Sequence, residues 1–160
     1  MSKQRPYTKG IIIIITSLVL IIAVILTVYS LTNVRPTTTV RLGSAVFSMR
    51  LAATNETRQQ GLSGIAHLGA MDGLLMVFQG DDYWGIWMKD MKIPLDIIWL
   101  NNEKKVIYIV SDASPSLGTS KTFTPTDTAR YVLEVLAGTT KRVPIQVGDN
   151  ATFSVAEARS

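Results

Sequence analysis

Asp96 and Glu134 are lone carboxylates set in segments that otherwise read as strands buried on both faces. In Leu95-Asp96-Ile97-Ile98-Trp99-Leu100, period-two geometry puts Leu95, Ile97 and Trp99 on one face and Asp96, Ile98 and Leu100 on the other. In Tyr131-Val132-Leu133-Glu134-Val135-Leu136, Glu134 shares its face with Val132 and Leu136. A carboxylate among such neighbours needs a cation or hydrogen-bond donors, or it neutralises. Lys89, which follows Trp84-Gly85-Ile86-Trp87-Met88, is a cation near Asp96 in sequence and its expected partner.

Three functions fit these residues. Lys89, Asp96 and Glu134 beside Trp84 and Trp87 suit a cleft for a small polar ligand, such as a saccharide or a peptide end. Asp96 and Glu134 also suit an acid/base pair for glycoside cleavage, which needs two carboxyls about 5–9.5 Å apart. In the third, the polar set is a buried structural network, both tryptophans fill the core, and the surface docks another envelope protein.

No recognisable nucleophile or metal set accompanies the carboxylates. Gly61-Leu62-Ser63-Gly64-Ile65 lacks the last glycine of a nucleophile elbow and follows a helical segment, so Ser63 is a poor candidate. His67 is the single imidazole and falls in a loop-like stretch. With no cysteine and one histidine, only an all-oxygen Ca²⁺ or Mg²⁺ site could be built, and no metal or cofactor is expected.

The elements that must position these groups read as strands. Thr39–Leu42 and Val46–Ala52 form an opening pair turning at Gly43-Ser44. Leu74–Phe78, Tyr83–Lys89, Leu95–Leu100 and Lys105–Val110 follow at intervals of about ten residues, with turn signals between them. Tyr131–Leu136 and Ala151–Val155 complete the set. One short helix starts from a Thr54 or Asn55 cap and stops at Gly61. A second lies around Thr139–Val143, and Ser111–Thr128 reads as a long loop. The expected fold is mostly β: a small antiparallel barrel-like or sandwich domain with one or two short helices, preceded by a transmembrane helix.

That helix is residues 11–31, IIIIITSLVLIIAVILTVYSL, inside a charge-free stretch from Gly10 to Val34. At about 1.5 Å per residue it reaches roughly 30 Å, the hydrocarbon thickness of a bilayer. Its hydroxyl residues can bond back to carbonyls of the same helix. Lys3, Arg5 and Lys9 precede the run and only Arg35 follows closely, which keeps residues 1–10 cytoplasmic and exports the remainder. A cleaved signal peptide is the rival, with Val28-Tyr29-Ser30 as cleavage positions, but the run exceeds the usual apolar length of about 7–15 residues. Residues 32–39 form a polar linker, and residues 40–160 an extracytoplasmic β domain beside the lipid bilayer.

The net charge of +4 belongs to the targeting segment. Without Lys3, Arg5, Lys9 and Arg35, the 16 basic residues fall to 12, matched by 12 acids in residues 37–160. No basic footprint remains for nucleic acid. With no cysteine, the exported fold is held by its core rather than by disulfides.

Five segments resemble the uncharacterised conserved ACR family, a domain-of-unknown-function family of bacteria and archaea. They are Glu56-Thr57-Arg58-Gln59-Gln60-Gly61-Leu62-Ser63-Gly64, Asp72-Gly73-Leu74-Leu75-Met76-Val77-Phe78, the run from Trp87 through Met88-Lys89-Asp90-Met91-Lys92-Ile93-Pro94-Leu95-Asp96 to Ile98, Tyr131-Val132-Leu133-Glu134-Val135-Leu136-Ala137-Gly138, and Val147-Gly148-Asp149. The resemblance covers about residues 45–155. It implies a compact, mostly β, barrel-like exported domain and no established activity. The family usually has methionine within the Gly73-Leu74-Leu75-Met76 portion and often asparagine where Asp90 stands. Among the matched positions Gly61, Gly73, Gly138 and Gly148 read as turn or cap glycines. Arg58, Lys89, Asp96 and Glu134 are the polar remainder, which adds Arg58 to the candidate ligand-binding set.

Overall fold

The computed structural model describes residues 7–32 and 36–155, which fall into two units to be taken separately. Lys3, Arg5 and Arg35, the middle of the linker and the last five residues lie outside the described residues.

In the first unit, helix α1 runs from Tyr7 to Thr32. Its Gly10–Val28 portion has a mean hydropathy of 3.3, long and apolar enough to cross a bilayer, a test that a signal sequence also passes. Thr16 Oγ1 donates to the Ile13 carbonyl at 2.9 Å and Thr27 Oγ1 to the Ala23 carbonyl at 2.7 Å. These bonds are how an apolar helix carries hydroxyls without exposing polar groups.

The second unit is mostly β. Its strands are β1 (Thr37–Leu42), β2 (Ala45–Ala52), β3 (Asp72–Asp82), β4 (Ile86–Trp87), β5 (Leu95–Leu100), β6 (Val106–Ala113), β7 (Thr122–Phe123), β8 (Ala129–Leu136) and β9 (Ala151–Thr152). Seven of them form one curled sheet in the order β6-β5-β8-β3-β2-β1-β9, and β4 pairs with β7 apart from it. The sheet curls far enough for its ends to meet. Val106 donates to the Asp149 carbonyl, Gly148 to that of Val106, and Ala151 to that of Lys104. The barrel-like expectation therefore holds.

Five local expectations are corrected. β2 and β3 run parallel, in register from Ser48↔Asp72 to Ala52↔Met76, because the chain between them crosses over through a helix instead of a hairpin. Thr37–Thr39, read as linker, already pair with Arg50–Ser48. The expected strand Tyr83–Lys89 shrinks to Ile86–Trp87. Past it the Met91 N–H returns to the Met88 carbonyl, and Asp90 takes a φ of 55°, a left-handed turn that Asp tolerates. The long loop Ser111–Thr128 is more ordered than read: β6 extends to Ala113, a 3₁₀ turn spans Pro115–Leu117 and β7 follows. The last strand stops at Thr152 instead of Val155.

The crossover helix α2 spans Asn55–Gln60. Thr54 caps it by accepting from the Thr57 N–H, while the Thr57 hydroxyl accepts from the Thr54 N–H, so two orphan donors are satisfied reciprocally. Hydrogen bonds from its own backbone and from Thr54 hold the Glu56 carboxyl below its ordinary pKa. Gly61 ends the helix at φ 52° and ψ −132°, a conformation open almost only to glycine. Gly61→Ala is therefore expected to cost about 1–3 kcal/mol, read as a lowered melting temperature.

Apolar side chains pack on both faces of the sheet, which is why β5 is buried along its whole length. One face carries Leu74, Met76, Leu95, Ile97, Trp99 and Val132 under Leu62, Ile86, Met88, Met91 and Phe123. The other carries Leu75, Ile98, Leu100, Leu133 and Val135 with Val40, Phe47, Met49, Ile145 and Phe153. Two separate cores thus share one sheet.

Candidate functional site

A cleft of about 190 Å³ opens on the first of these faces. Asn55, Arg58, Gln59, Gln60, Gly61, Leu62 and Ser63 border it from α2 and the turn after it. Met76 and Phe78 come from β3, Gly85–Trp87 and Met91 from the β4 region, and Glu134 from β8.

Glu134 reaches the cleft because of strand register. It stands opposite Ile97 across β5 and β8 and opposite Leu74 across β8 and β3, so it points to the same face as those residues. The residue is only 3% exposed. A Cβ on Gly61 would stand 3.5 Å from Glu134 Oε2, so the turn that ends α2 passes directly over the carboxylate.

Arg58 projects from α2 and is anchored by oxygen. Nη1 donates to the carbonyls of Ala53 at 2.6 Å and Val77 at 2.8 Å, and Nη2 donates to Asn55 Oδ1. Partial burial lowers the guanidinium pKa from its ordinary value, opposed by the Glu56 carboxylate. Its Cζ lies 5.0 Å from the centroid of Phe78, which stacks on Trp84 at 4.2 Å and 12°. Trp84 also donates Nε1–H to the Gly80 carbonyl at 3.1 Å. Trp84 is thus a supporting wall behind Phe78, half-buried and packed against the first core. Trp87 is not in the core: 43% of it is exposed and it borders the cleft.

Asp96 is elsewhere. It stands opposite Val135, so it points to the sheet face away from Glu134. There it is fully buried. Oδ1 accepts from the N–H groups of Asp112 at 2.9 Å and Gly138 at 3.2 Å, and Oδ2 accepts from the Thr140 N–H and hydroxyl, both at 2.8 Å. These donors belong to β6 and to the start of the short helix α3 (Thr139–Arg142), whose cap residue Gly138 supplies no side chain for the task. Asp96 is thus a structural cap, held by N–H and O–H donors where Lys89 was its expected partner. Lys89 is exposed, and its carbonyl accepts from Ser63 Oγ at 2.8 Å. The pairing of Asp96 with Glu134 as acid and base is therefore corrected, because an odd separation along adjacent strands places the two carboxylates on opposite faces of the sheet.

The structure brings together Arg58, Glu134 and Trp87, keeps Trp84 one layer behind, and leaves Asp96 and Lys89 outside. Sequence reasoning missed Phe78, Met76, Met91 and Asn55. Asn55 carried a usable signal, since it stands three residues before Arg58 on one helix face. The others looked like core residues, and they are also core residues. No group of three or more His, Cys, Asp or Glu suited to a metal occurs among the described residues.

The second unit is thus a small, mostly β domain: a curled sheet with a cleft under a short crossover helix, preceded in sequence by an apolar helix. The chain belongs to the DUF192 family of uncharacterized ACR proteins, whose profile matches residues 37–153. No curated protein matches it. Among solved structures it is similar to a candidate transcription regulator from Sinorhizobium meliloti 1021, with a TM-score of 0.70 and 27% identity over 74% of this chain and 95% of that one. It is also similar to a protein of unknown function from Novosphingobium aromaticivorans DSM 12444, with a TM-score of 0.66 and 28% identity over 74% of this chain and 84% of that one.

Proposed function

We propose that the protein is a membrane-anchored, extracytoplasmic binding module whose cleft takes a small polar ligand, such as a saccharide or a peptide. One observation carries this reading: three elements distant in sequence bring a guanidinium, a buried carboxylate and an exposed tryptophan to one concave site. Aromatic and apolar walls with a few polar groups are what small-ligand recognition requires. The anchor is the apolar helix, with the short N-terminus on the cytoplasmic side. The regulator description of the Sinorhizobium relative gains no support from charge, because residues 37–160 carry 12 basic and 12 acidic residues. Asp96 and its donors favour a structural role for that part of the polar set only.

Calorimetric titration of the full chain in detergent micelles with cell-wall saccharides and short peptides tests the reading. Binding is expected for the wild type and is expected to weaken at least about tenfold in Trp87→Ala, since truncating an aromatic anchor costs about 2 kcal/mol or more. That variant should keep its stability within about 1 kcal/mol of the wild type, because Trp87 is exposed and lies outside both cores. Binding indifferent to Trp87→Ala, or no binding to any of these compounds, would sink the cleft as the site.

A further inference from the structure

We infer that the ligand is a peptide that seats one large apolar side chain in the cleft and keeps its main chain on the rim, an inference that rests on the cleft being the binding site. The polar residues bordering the cleft already serve the protein. Arg58 places both Nη1 protons on carbonyls and an Nη2 proton on Asn55, and the Ser63 hydroxyl donates to the Lys89 carbonyl. Gln60 and Glu134 have interactions of their own, and Glu134 is almost wholly buried beneath the Gly61 turn. What remains for a ligand is chiefly the wall of Leu62, Met76, Phe78, Ile86 and Met91, with Trp87 exposed at its edge. Such a wall cannot meet the hydroxyls that a saccharide ring carries on nearly every carbon, and a buried hydroxyl left without a partner weakens binding. An apolar side chain leaves no such group behind and gains its full burial. Size points the same way. At about 190 Å³ the cleft is little larger than the cavity of about 150 Å³ that admits benzene, and smaller than the roughly 300–1,000 Å³ of clefts that enclose a whole drug-sized ligand. One leucine, methionine or phenylalanine side chain fits that space. The thioethers of Met76 and Met91 can shift to accept either an aliphatic or an aromatic shape. The main chain of the peptide then crosses the rim, where Trp87 offers a flat apolar surface and the exposed Gln59 an amide able to pair with a peptide group.

The full chain in lipid nanodiscs, which keep detergent out of the cleft, is titrated calorimetrically with capped tripeptides and with the disaccharide di-N-acetylchitobiose. The tripeptides carry alanine, leucine, methionine or phenylalanine between two glycines. At least one of the leucine, methionine and phenylalanine peptides is expected to bind about tenfold or more tightly than the alanine peptide. Trp87→Ala is expected to weaken that peptide about tenfold, and Met91→Gln, which sets an amide in the wall, to reduce the preference over alanine at least about threefold. Should Met91→Gln fail to fold, the wild-type series and Trp87→Ala, whose site lies outside both cores, decide the matter. Peptides that bind in a Trp87-dependent way, with all three large side chains less than about tenfold above alanine, would overturn side-chain insertion and keep the cleft. Chitobiose binding that Trp87→Ala weakens, with no peptide bound, would overturn the peptide assignment and likewise keep the cleft. A preference for large side chains that neither variant alters would place the site elsewhere and overturn both. Absence of binding by every probe also overturns the inference, and the wider saccharide and peptide titration then decides the cleft separately.

Discussion

Asp96→Asn is expected to destabilise the domain by about 3 kcal/mol or more, a fall in melting temperature on the order of 10 °C. The carboxylate accepts four hydrogen bonds in a fully buried site, three of them from backbone N–H groups. An amide replaces one acceptor oxygen with a donor, and each oxygen of Asp96 faces two donors. Whichever way the amide turns, at least one backbone N–H meets an NH₂ group, and the donors left on the carbonyl side meet a weaker, uncharged acceptor. Hydrogen bonds to a charged group are worth about 1.5–3 kcal/mol each, and a buried donor left unmet costs about 1–3 kcal/mol, so the loss exceeds that of an ordinary polar substitution. Thr140→Val removes one of the four bonds and keeps the backbone donor, so about 1 kcal/mol is expected. Thermal unfolding of the two variants, followed by circular dichroism, makes the comparison. A melting temperature for Asp96→Asn within a few degrees of the wild type, roughly 1 kcal/mol, would remove the structural role assigned to Asp96. Because Asp96 lies on the other face of the sheet, ligand affinity of the folded variant should match the wild type.

Gly73→Ala is expected to cost roughly 3 kcal/mol, although alanine is ordinarily the better residue in a strand. A Cβ at this position would stand 2.5 Å from the Glu134 carbonyl oxygen and 2.5 Å from Met49 Sδ. The methionine can swing aside. The carbonyl belongs to β8, paired with β3 through Gly73↔Val135 and Leu74↔Glu134, and it moves only if the two strands separate. Reduced chain entropy in the unfolded state offers about 0.4–1 kcal/mol in the opposite direction, too little to offset the overlap. Any shift of β8 here also displaces Glu134, so the substitution should weaken ligand binding as well as stability. Gly80→Ala is the control: a Cβ there meets nothing within 4 Å, and its effect should stay within about 0.5 kcal/mol. Equal melting temperatures for Gly73→Ala and Gly80→Ala would contradict the packing described.

Much of the fold is legible residue by residue. The α2 start and stop follow from Thr54 and Gly61, and β5 was bounded correctly at Leu95 and Leu100 because an apolar run between Pro94 and Asn101-Asn102 is a local signal. Local signals misled at Tyr83–Lys89, where alternation continued but the chain left the sheet. The parallel pairing of β2 with β3 left no trace in sequence, since hydrogen-bond direction depends on where the crossover returns the chain.

The sequence by itself determined the apolar helix, the charge balance of residues 37–160, the strand-rich class, and which few polar residues stand among apolar neighbours. It also placed Asp96 and Glu134 on definite faces of their own strands, because side-chain alternation is a property of a single strand. Only the tertiary structure decided how those faces relate. Setting Ile97 opposite Glu134 turned one carboxylate toward α2 and Trp87 and the other toward the donors of Thr140 and Asp112. Register between strands whose paired residues lie 31 to 41 positions apart is chosen by the packing of both cores at once, and no short window of sequence contains it.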